Sequence, residues 1–200
     1  MPRGRTRQLL ELAQDQGGFI TAEDARKLGI PAMNLVMMER RESLKRVSHG
    51  VYRVPSIPTT ELDIYYQAAL WPQYKGIISH QSALDLYQLS DVNPTKVHIT
   101  VPGHYRTHRE IPAWLEIHKR DLDVGQKTYR EALPVTTVYQ TFLDLIEDGF
   151  RSDLLFQAIE NAQAEGKLLK DEADDLLLLS ETKRSSEAYG QRKEHGFSQE

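Results

Sequence analysis

The segment from Ile20 to Val54, ITAEDARKLGIPAMNLVMMERRESLKRVSHGVYRV, constrains the fold more than any other part of the chain. Thr21 followed three residues later by Asp24 is a variant of the capping box that opens a helix. Gly29 is a typical residue to end that helix, and Pro31 suits the first turn of a further one. The spacing therefore predicts two short helices joined by a tight turn.

The residues on either side complete the unit. Apolar residues at helical spacing predict a helix over 5–14 that ends at Gly17 and Gly18, and the helix that follows Pro31 is expected to continue to about Glu42. The segment SLKRVSHGVYRV, residues 43–54, has valines on both sides of a Ser-His-Gly turn and predicts a β-hairpin. Two short helices followed by a two-stranded ribbon form a winged helix-turn-helix.

A second unit is expected after the segment VPSIPTT, residues 54–60, whose two prolines indicate a linker with a boundary near residue 56. The predicted helices cover about 61–73, 80–89, 137 onward, 152–165 and 171–181. The predicted strands cover 76–78, 97–101 and 115–118, and the segment that begins LPVTT is expected to be extended before its helix starts at about Thr137. The predicted fold class is α+β, with a winged helix-turn-helix over 1–56, a mixed α+β domain with a small sheet and several helices over 57–182, and a polar tail over 183–200.

The net charge of −4 is unevenly distributed along the chain. Residues 1–55 carry ten Lys and Arg against six Asp and Glu, a balance of +4, whereas residues 56–200 carry a balance of −8. A basic head on an acidic body favours a polyanionic partner for the head, although a chance imbalance of a few surface residues is the alternative.

Composition excludes several classes of site. The chain has no cysteine, which rules out disulfides and thiolate metal sites and is consistent with a reducing compartment. The N-terminus lacks the apolar stretch of a signal peptide, and no segment approaches ~20 consecutive apolar residues, so a cytoplasmic protein without a membrane partner is expected.

The positive charge of the hairpin has an explanation if the unit binds duplex DNA. In a winged helix the third helix enters the major groove and the wing lies against the neighbouring backbone, where phosphates attract cations. Asn34 is placed to read an adenine edge, Met33 and Met37 to touch thymine methyls, and arginines near the N-terminus to contact phosphates from a flexible arm. Met33 and Met37 as core or domain-interface residues, and Asn34 as a solvated residue, are open alternatives. The predicted DNA-binding residues are Arg5, Arg7, Asn34, Met37, Arg40, Arg41, Lys45, Arg46, His49 and Arg53, with Arg3 as a further arm residue.

Evidence for a catalytic or metal site is weak. His104 and His108 are four residues apart, but they follow Pro102-Gly103 and lack the glutamate of a zinc-protease motif. Glu116 and Lys119 only faintly resemble a metal-dependent nuclease pair. We therefore expect no enzymatic activity, no cofactor and no metal. Arg106 and Arg109, with Lys119 and Arg120, form a candidate auxiliary strip for DNA contact.

The chain resembles a known family. FITAEDARKLGIPAMNLVMMERRESLKRVSHGVYRVP is similar to the N-terminal winged helix of the AbiEi family, the antitoxins of type IV abortive-infection toxin–antitoxin systems. ISHQSALDLYQLSDVNPTKVHITVPGHYR and LPVTTVYQTFLDLIEDG resemble the family's C-terminal domain. The resemblance spans about residues 5–180.

The resemblance implies a cytoplasmic transcriptional repressor that binds repeats in its own promoter. It also implies an antitoxin that opposes a nucleotidyltransferase-like toxin, without a stable complex between the two. Two other functions stay open: a winged-helix module that binds protein instead of DNA, and a DNA-targeted nuclease that uses Glu116 and Lys119.

Overall fold

The chain begins with a unit of three helices and a three-stranded sheet. The structure is a computed structural model that describes residues 3–91 and 93–196, with side chains for 4–91 and 93–186. The elements of this unit are α1 (Arg3–Asp15), β1 (Phe19–Thr21), α2 (Ala22–Lys27), α3 (Ala32–Arg40), β2 (Lys45–Ser48) and β3 (Val51–Arg53).

The two short helices form for the reasons that the sequence indicates. The Thr21 hydroxyl accepts a hydrogen bond from the backbone N–H of Asp24, and the Asp24 carboxylate accepts one from the backbone N–H of Thr21 at 2.9 Å, which completes a capping box. Gly29 has a φ of +65°, a left-handed conformation that glycine adopts readily. Pro31 is the N-cap of α3 in an extended conformation.

The wing is part of a larger sheet than predicted. Strands β2 and β3 form the expected antiparallel hairpin, with a register shift between Arg46 and Ser48. Strand β1, which was not predicted, pairs antiparallel with β3 and gives the order β1-β3-β2. Strand β3 of the wing is therefore hydrogen-bonded to β1 on one side and to β2 on the other.

The second unit is a mixed sheet with helices. Its helices are α4 (Asp63–Leu70), α5 (His80–Leu86), α6 (Val138–Glu147), α7 (Ser152–Ala164) and α8 (Lys170–Gly196), and its strands are β4 (Ile77–Ile78), β5 (Val97–Val101), β6 (Leu115–Lys119), β7 (Lys127–Arg130) and β8 (Leu133–Thr136). The sheet order is β6-β5-β4-β8-β7. The β5–β6 and β4–β8 pairs are parallel, and the β4–β5 and β7–β8 pairs are antiparallel.

This architecture confirms the predicted α+β class, but two elements differ from the prediction. The edge strand β7 was not predicted, and α8 is longer than the expected helix over 171–181. Helix α8 extends to Gly196, whereas the prediction placed a polar tail from residue 183 onward. Residues 197–200 of that tail lie outside the described part of the chain. No helix among the described residues has the length and apolarity to cross a lipid bilayer.

The apolar residues separate into two main clusters. One joins α1, α2, α3 and the wing through buried residues such as Leu9, Ile20, Leu35 and Leu44. The other fills the space between the second sheet and its helices, with Phe142 completely buried near its centre. The boundary at residue 56 stays a prediction.

The two units contact each other through apolar and polar residues. Phe19 and Val51 of the first sheet pack against Leu70 of α4 in a small separate cluster. The hydroxyl of Tyr74 contacts the Asp24 carboxylate and the Thr21 hydroxyl, so the capping box of α2 is tied to the second unit. Burial, and then the hydrogen bond to Asp24, raise the pKa of Tyr74 far above its ordinary value, so the phenol stays protonated and donates.

Candidate nucleic-acid interface

The outer face of α3 is exposed and partly apolar. Leu35 and Met38 point into the core, whereas Met33, Val36 and Met37 are 68%, 37% and 37% exposed. Met33 and Met37 are therefore not buried in the core of the first unit, and neither belongs to the apolar cluster between the two units. Asn34 is half-buried on the first turn of the helix. The helix therefore presents one carboxamide beside three apolar side chains.

Four exposed, positively charged side chains lie between the exposed side of α3 and the wing. Arg40 and Arg41 lie at the end of α3, and Lys45 and Arg46 lie on β2; all four side chains are exposed. The Arg46 guanidinium lies 3.2 Å from Nδ1 of His49 at the tip of the wing. We call the exposed part of α3 together with these four cations the α3–wing face. The chain brings it together because only a short turn separates α3 from β2.

Arg53 does not belong to the α3–wing face, contrary to the prediction. Its side chain is 12% exposed and forms an ion pair with Asp63 at 3.0 Å. Its guanidinium also donates to the carbonyl oxygens of Ile57 and Pro58, each at 3.0 Å. A guanidinium held in this way is a structural link between the wing and the linker and has no free donors to direct at a phosphate.

The N-terminal arginines also differ from the prediction. Residues 3–15 are helical, so Arg5 and Arg7 lie on α1 and not on a flexible arm. Arg5 donates to the carbonyl oxygen of Gly29 at 3.0 Å, which braces the turn before α3, and Arg7 pairs with Glu11 at 2.8 Å. Both side chains are exposed, and the side chain of Arg3 lies outside the described part.

The auxiliary strip is divided by the structure. Arg109 stacks over Trp71 at 4.3 Å and lines a groove of about 630 Å³ together with Lys27 and His49, so it lies beside the wing tip. Arg106 is exposed and donates to the carbonyl oxygens of Gly103 and Tyr105 in its own loop. Lys27 of α2 also lines this groove. The sequence reasoning did not include Lys27 among the candidate residues, because α2 carries no motif that points to it.

Arg120 and the nuclease-like pair are engaged elsewhere. Arg120 pairs with Asp144 at 2.6 Å and with Glu147 at 2.8 Å, so its charge is neutralised inside the second unit. Glu116 pairs with Lys96 at 2.7 Å. Because residues three apart on a strand point to opposite faces, β6 does not bring Glu116 and Lys119 together.

Comparison with known proteins bears on the first unit. A family model described as "Transcriptional regulator, AbiEi antitoxin" matches residues 7–55. This segment is AbiEi-like. The match includes α2, α3 and the wing, and it confirms the resemblance over residues 7–55. The resemblance of the second unit to the family's C-terminal domain stays a prediction. The family is one of antitoxins that regulate transcription.

The fold as a whole has a solved counterpart. The crystal structure of the RV2827C protein from Mycobacterium tuberculosis superposes with a TM-score of 0.50 at 15% sequence identity, covering 90% of this chain and 82% of that one. At this identity the likeness concerns the fold alone. No curated protein sequence matches the chain.

Proposed function

We propose that this protein is a DNA-binding repressor of its own operon and the antitoxin of a type IV toxin–antitoxin system, acting in the cytoplasm. The observation that carries the proposal is the α3–wing face, where four exposed cations flank an exposed helix face with Asn34 and two methionines. The family match over residues 7–55 supports the same function.

Each part of the α3–wing face suits a part of a DNA duplex. With α3 in the major groove, Asn34 can donate to and accept from an adenine edge, and Met33 and Met37 can contact thymine methyls. Lys45 and Arg46 then face the neighbouring phosphates, whose charge density draws cations in exchange for released counterions. Phosphate contacts set affinity and register, and base contacts set sequence preference.

Footprinting on the DNA upstream of the protein's own gene tests the repressor function. The wild-type protein is expected to protect discrete repeats, and Arg41→Ala and Arg46→Ala to require more protein for the same protection. Arg151→Ala is the control, because Arg151 is also an exposed arginine but lies at the N-cap of α7 in the second unit. Absence of protection at low salt, or equal effects of all three variants, contradicts the proposal.

The antitoxin function needs a separate experiment. We propose that the toxin is a nucleotidyltransferase-like protein that forms no stable complex with this chain. Co-expression with such a toxin encoded in the same operon is expected to restore growth, while affinity purification recovers no stoichiometric toxin. Toxicity that persists at full expression of this protein contradicts the antitoxin function and leaves the repressor function standing.

The exposed apolar residues of α3 favour one other candidate, a protein-binding module. Met33 is 68% exposed, and Val36 and Met37 lie beside it, an arrangement that also suits a protein surface. The two functions differ in their response to salt. DNA affinity falls steeply as salt rises, whereas an apolar protein contact changes little.

A further inference from the structure

A cluster of three histidines and one aspartate lies at one edge of the second sheet and shares no residue with the α3–wing face. His98 lies on β5 and His118 on the neighbouring strand β6, two register positions apart, since His98 pairs with Glu116 and His118 with Thr100. His80 begins α5, and Asp148 directly follows α6. Nε2 of His80 lies 3.4 Å and Nδ1 of His118 lies 3.6 Å from the same carboxylate oxygen of Asp148. The three atoms all lie within 4.8 Å of one another.

These distances fit ligands around a shared ion better than hydrogen bonds. Hydrogen bonds between nitrogen and oxygen have lengths of about 2.7–3.2 Å, so neither histidine makes a good one to Asp148. In a tetrahedral zinc site with bonds of about 2.0–2.1 Å to nitrogen and oxygen, neighbouring ligand atoms are about 3.3 Å apart. The separations of 3.4 and 3.6 Å from the Asp148 oxygen are close to that value.

The other nitrogen of each histidine is already engaged. Nε2 of His118 lies 3.0 Å from Nδ1 of His98, and Nδ1 of His80 lies 2.9 Å from the hydroxyl of Ser79. Thr100 in turn donates to that hydroxyl at 2.9 Å. Metal-binding histidines characteristically use their second nitrogen in such a bond, which orients the ring. These bonds leave Nε2 of His80 and Nδ1 of His118 facing Asp148.

The surroundings suit a cation that arrives from solvent. His80 is 5% exposed, whereas the side chain of Asp148 is 50% exposed, so the cluster is open on the carboxylate side. The positive charge of Arg120, which acts on His80, is paired with Asp144 and Glu147.

His80 also has an unusual backbone conformation. Its φ of +53° lies in the left-handed region, which residues with a side chain seldom occupy. The conformation occurs at the start of α5 and accompanies the burial of the imidazole in the cluster. Strained positions of this kind concentrate at binding sites.

We propose that His80, His118 and Asp148 bind a divalent transition-metal cation, with Zn²⁺ as the best-suited ion. Two imidazole nitrogens and one carboxylate oxygen leave the fourth tetrahedral position to water. His98 acts as a positioning residue for His118. The rings of His80 and His118 stack with centroids 3.6 Å apart and 17° between their planes, so the two imidazoles lie together beside the Asp148 carboxylate. The ion joins α5, β6 and the end of α6.

Calorimetric titration of the full-length, chelator-treated protein with ZnCl₂ tests the site. We expect one Zn²⁺ per chain and a rise in melting temperature on binding. His98→Ala is expected to weaken binding about 10–100-fold. His118→Ala should weaken it at least as much, and so should Asp148→Asn, a variant of a half-exposed residue that keeps the shape of the side chain.

A double variant, His104→Ala with His108→Ala, is the matched control, because both histidines are exposed in the loop after β5. Unchanged binding in this variant supports the site. The proposal is overturned if Zn²⁺ does not bind to the chelator-treated wild-type chain. It is also overturned if binding survives both His118→Ala and Asp148→Asn, or is lost in the His104/His108 control. None of these outcomes depends on DNA binding.

Discussion

Two arginines of the wing hairpin have different roles, so removing each of them should change a different property of the protein. Arg53→Ala should lower the stability of the folded protein, whereas Arg46→Ala should lower DNA affinity. The reason lies in their surroundings. Arg53 is 12% exposed and bonded to Asp63, Ile57 and Pro58. Arg46 is exposed, and within the described part of the chain its side-chain hydrogen bonds join it to Ser48 and His49 of its own hairpin.

The magnitude for Arg53→Ala follows from its contacts. Removing one partner of a buried ion pair costs about 3–5 kcal/mol. Asp63 is 19% exposed and keeps hydrogen bonds from the backbone N–H and the hydroxyl of Thr60, at 3.0 and 3.2 Å, so its charge is partly compensated. We therefore expect a loss near the lower end, about 3 kcal/mol in the free energy of unfolding. Arg46→Ala should change it by less than about 0.5 kcal/mol.

Urea unfolding monitored by circular dichroism measures both free energies, and fluorescence anisotropy with operator DNA measures both affinities. At a temperature where Arg53→Ala is folded, its salt-dependent DNA binding should match that of the wild type. A stability loss below about 1 kcal/mol for Arg53→Ala, combined with an affinity loss equal to that of Arg46→Ala, would refute the assignment of Arg53 to a structural link.

Three further predictions concern base reading, the junction and acid. Asn34→Ala should reduce the preference for operator over scrambled DNA by about 1–3 kcal/mol, measured by anisotropy on both duplexes; equal losses on the two would contradict base reading. Tyr74→Phe removes a hydrogen bond to a buried carboxylate and should lower the free energy of unfolding in urea by about 1.5–3 kcal/mol; no change would show that the bond adds nothing. Burial, with His118 and His98, lowers the pKa of His80 from 6.5 to about 2, so between those values the unfolded chain binds a proton that the folded chain does not. Stability of the chelator-treated protein should therefore fall as pH decreases below 6.5, by up to about 1.4 kcal/mol per pH unit from His80, and a flat profile in urea unfolding from pH 7 to 5 would contradict this.

Local signals account for the parts of the fold that the sequence predicted well. The capping box of Thr21 and Asp24, the turn at Gly29 and the start at Pro31 all act within a few residues, and the structure contains each of them. The strand over 97–101 has the same local character, because alternating apolar residues mark its buried face.

Elements that depend on distant partners were missed. Strand β1 has only three residues, and its pairing with β3 is what makes it a strand. Strand β7 is largely exposed and carries no apolar alternation that would distinguish it from a loop. Helix α8 was underestimated because its later residues are polar and lack an apolar stripe.

The candidate sites could likewise be predicted where their residues are close in sequence, and not where they depend on distant residues. The cations on α3 and β2 are close in sequence, so their common face could be inferred. The ion pair that removes Arg53 from that face depends on Asp63, ten residues further along the chain, in a helix that no motif connects to the wing. The histidine cluster draws on four segments between His80 and Asp148, and no spacing rule marks such a set.

The salt dependence of binding to the DNA upstream of the protein's own gene tests the central claim most directly. Fluorescence anisotropy at several salt concentrations, with a scrambled duplex for comparison, gives the slope of log affinity against log salt. For about four to six phosphate contacts the slope is expected to be roughly −4 to −5, with tighter binding to the upstream DNA at every concentration. Absence of binding at low salt, or affinity that does not change with salt, would contradict a DNA-binding role for the α3–wing face.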